Sequence, residues 1–290
     1  MQPATTPASS AAPTTVIEGR SPDPRLIVEP IEGITSNCVD AGCTTLTFSQ
    51  AGELVVFDPT ASQLRFLDSG RTVAVDPSLG TWMFLVAMGP DDVAYLGGVP
   101  PDATDPVAIL VAVATTGPLA GSEIARADDT LDGSGDSTLI ATAGGLMEVG
   151  CCGFEDRLPP EGSTAALGWV APDGQPSGVM LPEVFLEYPP TRTETVVVRS
   201  EGGVEQRWSV PAPLAGRDMP PVAATDDGGA LVWMYDEVGS PETPAVLYDL
   251  RPDGSIDTYS LGDLQYLAAM HSSRVIIAYA GDSFIRITLP

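Results

Sequence analysis

The chain has 290 residues and a formal net charge of −26, from 39 acidic residues against 13 basic ones that are all arginine; such a surface repels a phosphate backbone and anionic head groups, which argues against nucleic acid and lipid surfaces as partners. An apolar fraction of 43% is enough for a real core, while 30 Gly, 28 Pro and only 18% charged residues suit many short strands joined by tight turns. The longest apolar runs, WMFLVAM (82–88) and VAILVAVA (107–114), are of strand length and fall well short of the ~20 residues that a membrane helix needs.

The first 16 residues, MQPATTPASSAAPTTV, have neither a basic start nor an apolar stretch, so they do not read as a signal peptide. A Thr/Ser/Ala/Pro tract cannot bury enough apolar area to fold. Residues 1–24 are therefore expected to be a disordered tether, of the kind that follows a cleaved export or lipoprotein signal. Ile17-Glu18-Gly19-Arg20 also spells a common protease-cleavage sequence and belongs to this tail. Next comes an isolated strand, RLIVEPI (25–31), and then the first cysteine pair, Cys38 and Cys43.

From there strand-turn-strand units follow one another. TTLTFSQAGELVVFD (44–58) bends at Gln50-Ala51-Gly52, and QLRFLDSGRTVAV (63–75) at Ser69-Gly70. TWMFLVAMGPDDVAYLGG (81–98) and PVAILVAVATTGPLAGSEIA (106–125) repeat the form. STLIATAGGLMEVG (137–150) turns at Ala143-Gly144-Gly145, AALGWVAPDGQPSGVML (165–181) at Pro172-Asp173-Gly174, and ETVVVRSEGGVEQRWSV (194–210) at Glu201-Gly202-Gly203. AATDDGGALVWMYDE (223–237) and VLYDLRPDGSIDTYSLG (247–263) are two more hairpins, and QYLAAMHSSRVIIAYAGDSFIRITL (265–289) offers three strands. Trp82, Trp169, Trp208 and Trp233 lie within strand runs and are expected to pack between units rather than bind sugar.

First hairpins begin near 44, 82, 137, 221 and 265, and the gap from 137 to 221 holds two units. Five steps from 44 to 265 give a period of about 44 residues, with four short antiparallel strands in each unit. The sequence thus predicts an all-β, six-bladed β-propeller over residues 25–290, with five or seven blades as the alternative. The last unit lacks a fourth strand, and pairing it with RLIVEPI (25–31) would close the ring and remove its edges.

Asp226–Val232 (D-x-G-G-A-L-V) and the Asp249–Ser255 turn, with weaker echoes in Gln50–Val56 and Pro172–Val179, resemble the extracellular β-propeller repeat families, the TolB-like and NHL-like six-bladed proteins. The resemblance covers residues 25–290 as architecture and implies a fold shared by many functions.

In a propeller the link before a blade's first strand shares a face with the link between its second and third strands. That face receives the long insertions GGVPPDATDP (97–106), GCCGFEDRLPPEGS (150–163) and DEVGSPETP (236–244), together with Cys38 and Cys43. Long loops gathered on one side of a rigid scaffold are where binding usually resides, so the candidate partner-binding residues are Phe154, Glu155, Asp156 and Arg157. The cysteines, as the close pairs Cys38/Cys43 and Cys151/Cys152, suit disulfides in an oxidising compartment better than a zinc site. Cys38–Cys43 pairing is expected, although Cys151 and Cys152 could also bond each other or staple their loop to the first pair.

Catalytic patterns are weak. The propeller lactonases hold a metal with Glu, Asn and Asp, whereas Asn37 is the single asparagine here. His271, the only histidine, falls at a strand turn on the short-loop face and reads as a turn residue. Thr225–Trp233 runs one residue long for a sialidase Asp-box, and no histidine follows the lipase-like Gly281-Asp282-Ser283. Asp128, Asp129, Asp132 and Asp136 are chemically suitable for calcium, but their spacing departs from D-x-[DN]-x-[DN]-G and reads as a solvated acidic loop. The expectation is an exported or cell-surface-tethered monomer that binds a protein or small ligand and needs no cofactor. The alternative is a propeller hydrolase or lactonase with Ca2+ or another divalent metal in an acidic channel.

Overall fold

Strands such as Leu54–Asp58 (LVVFD) and Ile109–Val113 (ILVAV) are apolar on both faces, which requires each sheet to be covered on both sides. In the computed structural model this is met by six sheets arranged as a ring, a six-bladed β-propeller. The structure describes residues 21–35, 38–39, 42–101, 109–128, 137–150, 157–158, 165–189, 194–210, 221–234, 245–264, 267–280 and 283–290. Among these residues there is no α-helix, only three single 3-10 turns, at Pro77–Leu79, Pro90–Asp92 and Gly117–Leu119.

Blade 1 comprises Thr45–Phe48, Leu54–Asp58, Gln63–Phe66 and Thr72–Ala74 in sequence order. Blade 2 comprises Thr81–Met88, Ala94–Val99, Ile109–Val113 and Glu123–Asp128. A two-residue hairpin, Cys38–Val39 with Gly42–Cys43, joins the side of blade 2 remote from Ala94–Val99 through the parallel pair Gly42↔Met83. Blade 3 has Ser137–Thr142, Gly145–Gly150 and the short Leu167–Gly168, with a single bridge Val170↔Pro176 beyond. Blade 5 comprises Val222–Ala224, Ala230–Met234, Val246–Leu250 and Ile256–Ser260.

Blade 4 departs from the sequence expectation. Its first strand is Arg157–Leu158, paired with Glu183–Glu187, and Thr195–Glu201 and Val204–Val210 follow. The third strand of blade 3 thus lies, in sequence, between the first two strands of blade 4. Arg157 was expected in a connecting loop and is instead a strand residue, because its backbone pairs with Glu187.

Blade 6 comprises Leu267–His271, Val275–Ala280 and Ser283–Thr288, and Ile27–Thr35 forms its outermost strand. Five consecutive pairs, Ile27↔Thr288 through Ile31↔Phe284, hold that strand antiparallel to the C-terminal one. Ile27–Thr35 thus covers the edge that Ser283–Thr288 would otherwise present and ties the ring shut in one sheet.

The core is a ring of interblade clusters. Phe57, Leu64, Leu85 and Val111 pack between blades 1 and 2, and Tyr95, Leu110, Leu146 and Trp169 between blades 2 and 3. Trp208, Leu186 and Val232 join blades 4 and 5; Trp233, Leu247 and Ile276 join blades 5 and 6; Phe48, Leu54, Ile277 and Phe284 join blades 6 and 1. Each fully buried large side chain contributes roughly 1.5–3 kcal/mol. Polar links cross the same seams: Tyr95 Oη donates to the Gly168 carbonyl at 3.2 Å and accepts from the Val170 amide at 2.8 Å. Burial pushes the Tyr95 phenol up to about 12.

Candidate functional site

The first strands of blades 1, 2, 3, 5 and 6 and the Glu183–Glu187 strand of blade 4 neighbour one another around the ring's axis, and a cavity of ≈ 610 Å³ opens at their ends. Phe48, Met88, Ala141, Ala224 and Met270 reach it from blades 1, 2, 3, 5 and 6, and Val184, Arg199 and Glu201 reach it from blade 4. Trp169, Leu181 and Pro182 extend its apolar wall. Most turns on this face are short, although the connections 114–122 and 169–182 also lie at this end.

His271 sits at the rim. Its Nδ1 accepts from the Ser273 amide at 3.1 Å and lies 2.7 Å from Ser273 Oγ, which leaves Nε2 to carry the proton of the neutral ring. The ring packs 5.2 Å from Phe48. It also covers Gly52, where a Cβ would meet Cε1 at 3.1 Å and where φ is +82°. Burial pushes the imidazole below its ordinary 6.5, against the opposing pull of Asp226 and of the Ser49 and Gln50 backbone. The histidine is a wedge between the first turns of blades 6 and 1.

The turn Thr225–Gly229 is ordered by Asp227, whose carboxylate accepts from Thr225 Oγ1 at 2.7 Å, the Gly229 amide at 3.3 Å and Arg274 Nη2. Burial pushes this carboxyl up, but these donors outweigh it and hold it below 3.8. The Asp226 amide donates to the Ser272 carbonyl at 3.0 Å and locks blade 5's turn to blade 6. Arg199 bonds Glu201 at 2.6 Å, and its buried Nε has no partner among the described residues. The cavity thus has an apolar floor and a polar rim on which Glu201 and Asp227 are already ion-paired. Among the described residues no three His, Cys, Asp or Glu side chains form a group able to hold a metal ion.

At the opposite end of the ring, Val99 pairs with Thr81 and Gly150 with Ser137, so the second strands of blades 2 and 3 finish beside the starts of their first strands. Met234 closes the second strand of blade 5 at that same end. Arg157 lies there as well, opposite Glu187 and away from the end of that strand that faces the cavity. Cys38 and Cys43 face each other in the hairpin beside Met83. Of the other candidate residues, Cys151, Cys152, Phe154, Glu155 and Asp156 lie outside the described residues, as do Asp129, Asp132 and Asp136. Asp128 ends a strand of blade 2, with its carboxylate 3.8 Å from Arg126.

One expectation is overturned. Trp169, Trp208 and Trp233 are buried between blades, but Trp82 is 53% exposed. Its backbone adopts φ +54°, and the strand register shifts between Thr81 and Phe84, so the bulge turns the indole out of the seam. The cavity was not apparent in the sequence either. Its polar residues come from turns of different blades, and no local motif joins Arg199 to His271.

No protein-family model matches the chain, and no curated protein matches it in sequence. The six-bladed fold stands on the strand topology alone.

Proposed function

We propose that this protein is an exported, surface-tethered binding module whose partner docks on the face of the long connections. The observation that carries this reading is strand direction. Val99, Gly150 and Met234, where three long connections begin, finish at the same end of the ring as the Cys38–Cys43 hairpin. Rigid blades with seams of fully buried Leu, Val and Ile position such connections without moving themselves. The Thr/Ser/Ala/Pro composition of residues 1–24 and the close cysteine pairs support export and tethering.

The test pairs two face-specific variants against any interacting protein isolated with the wild type. Phe154→Ala/Arg157→Ala targets the connection that follows Gly150, and Arg199→Ala/His271→Ala alters the cavity. Loss of binding in the first variant alone supports the reading. Loss in the second alone assigns the function to the cavity and overturns it.

A further inference from the structure

We propose that Trp82 is the anchor of a docking surface for a cationic protein segment, one bearing arginine or lysine side chains. The inference rests on the long-connection face as the binding face and adds to it both a residue and a partner chemistry.

Three features set Trp82 apart. Its indole is 53% exposed while the other three tryptophans are no more than 3% exposed. Its φ of +54° is in the left-handed region, which a bulky side chain adopts only when the surrounding structure imposes it. The register shift between Thr81 and Phe84 frees it from the ladder, and bulges of this kind re-aim side chains at functional places. A tryptophan needed only for packing would sit in the seam, as Trp169 does with its indole N–H bonded to the carbonyls of Thr142 and Ala143.

Position gives the second half of the argument. Trp82 is flanked by Thr81, which pairs with Val99 where the first long connection leaves, and by Met83, which pairs with Gly42 of the cysteine hairpin. It therefore stands among the connections of the proposed binding face. Aromatic anchors of this type concentrate binding energy in protein interfaces.

Charge selects the partner. The chain carries 39 carboxylate side chains against 13 arginines. Arg25, Arg126, Arg199, Arg207, Arg251 and Arg274 are already held by Asp or Glu. The uncompensated charge is negative, so long-range attraction favours a basic partner. The indole face attracts guanidinium and ammonium groups by cation–π contact.

The experiment titrates full-length protein with an Arg-Gly repeat peptide, a Glu-Gly repeat peptide and a β-linked glucose hexasaccharide at physiological salt. Calorimetry and tryptophan emission report binding. The expected result is binding of the arginine peptide alone, with a change in the emission of the exposed indole. Trp82→Ala should weaken it at least about tenfold and Trp82→Phe much less. Trp82→Gly, which suits a positive φ, should melt higher than Trp82→Ala. Equal affinity of wild type and Trp82→Ala overturns the anchor, as does a Trp82→Gly variant no more stable than Trp82→Ala. Trp82-dependent binding of the hexasaccharide in place of the peptide overturns the cationic partner. If Phe154→Ala/Arg157→Ala abolishes peptide binding while Trp82→Ala does not, the face stands and the anchor fails. If only Arg199→Ala/His271→Ala abolishes it, both fail.

Discussion

Arg274, at the first turn of blade 6, places its Nε 3.0 Å from both carboxylate oxygens of Asp249, a fully buried residue of blade 5. Arg251 reaches the same carboxylate at 2.7 Å. Burial pushes the Asp249 carboxyl up while the two guanidinium groups pull it back. A buried ion pair broken from one side leaves an uncompensated charge and costs about 3–5 kcal/mol. Arg251 remains when Arg274 is removed, so Arg274→Met is expected to cost about 3 kcal/mol, at the low end of that range. Urea denaturation of Arg274→Met, Asp249→Asn and the double variant checks this. The double variant should be markedly less destabilised than the sum of the two singles, because the stranded charge is gone.

Ring closure gives the second expectation. The Ile27–Thr35 strand supplies Ile34 and Ile31 to the seam between blades 6 and 1, and Arg25 donates to the Thr258 carbonyl of blade 5 at 2.6 Å. Removing residues 1–20 should leave the melting temperature unchanged, since a Thr/Ser/Ala/Pro tract has little apolar area to bury. Removing residues 1–35 exposes the Ser283–Thr288 edge and part of that seam, and should abolish cooperative melting. Equal melting of the two truncations would show that the strand does not close the ring.

Much of this architecture was legible because each blade carries its own turn chemistry. Asp253 accepts from the Ser255 amide and hydroxyl at 2.9 and 2.6 Å, and Gly254 takes φ +88°, so Arg251–Ser255 specifies its turn locally. Asp249 of the same motif pairs with Arg251 beside it and with Arg274 of the next blade, which accounts for a carboxylate in an otherwise apolar strand. Blade 4 was illegible at its start because a two-residue strand, Arg157–Leu158, carries no periodicity. Trp82 was misread because an apolar run gives no sign of a bulge that reverses one side chain. The cavity depends on the juxtaposition of turns far apart in sequence, such as those holding Gly52 and His271.

That last juxtaposition predicts a pH response. With its pKa lowered by burial, neutral His271 contributes stability that is complete above its unfolded value of 6.5. The contribution is lost as pH falls from 6.5 towards the lower folded value, because the unfolded chain takes up the proton first. His271→Phe keeps a ring beside Phe48 and Gly52 and should flatten the stability profile across this window. Gly52→Ala should cost about 1–3 kcal/mol through its positive φ and its contact with the imidazole. Denaturation midpoints measured from neutral to mildly acidic pH decide it. An unchanged slope in His271→Phe would show that another group titrates.

Cys38 and Cys43 stand directly opposite each other in an antiparallel hairpin. Opposed residues in such a pair have Cα atoms about 4.5–5.5 Å apart, inside the roughly 4.4–6.8 Å that a disulfide spans. The backbone therefore suits a local bridge without rearrangement, and in an oxidising compartment this pair is expected to close. A bridge across so short a loop stabilises by about 2 kcal/mol on chain-entropy grounds. Its greater effect is to fix the hairpin that meets blade 2 at Gly42↔Met83, next to Trp82. Non-reducing peptide mapping should recover Cys38 linked to Cys43, and Cys38→Ser/Cys43→Ser should lower the melting temperature modestly while leaving the far-ultraviolet spectrum unchanged. Recovery of either residue linked to Cys151 or Cys152 would show instead that the long connection after Gly150 is stapled to the hairpin. The two cysteine pairs would then form one cross-linked unit at the long-connection end of the ring.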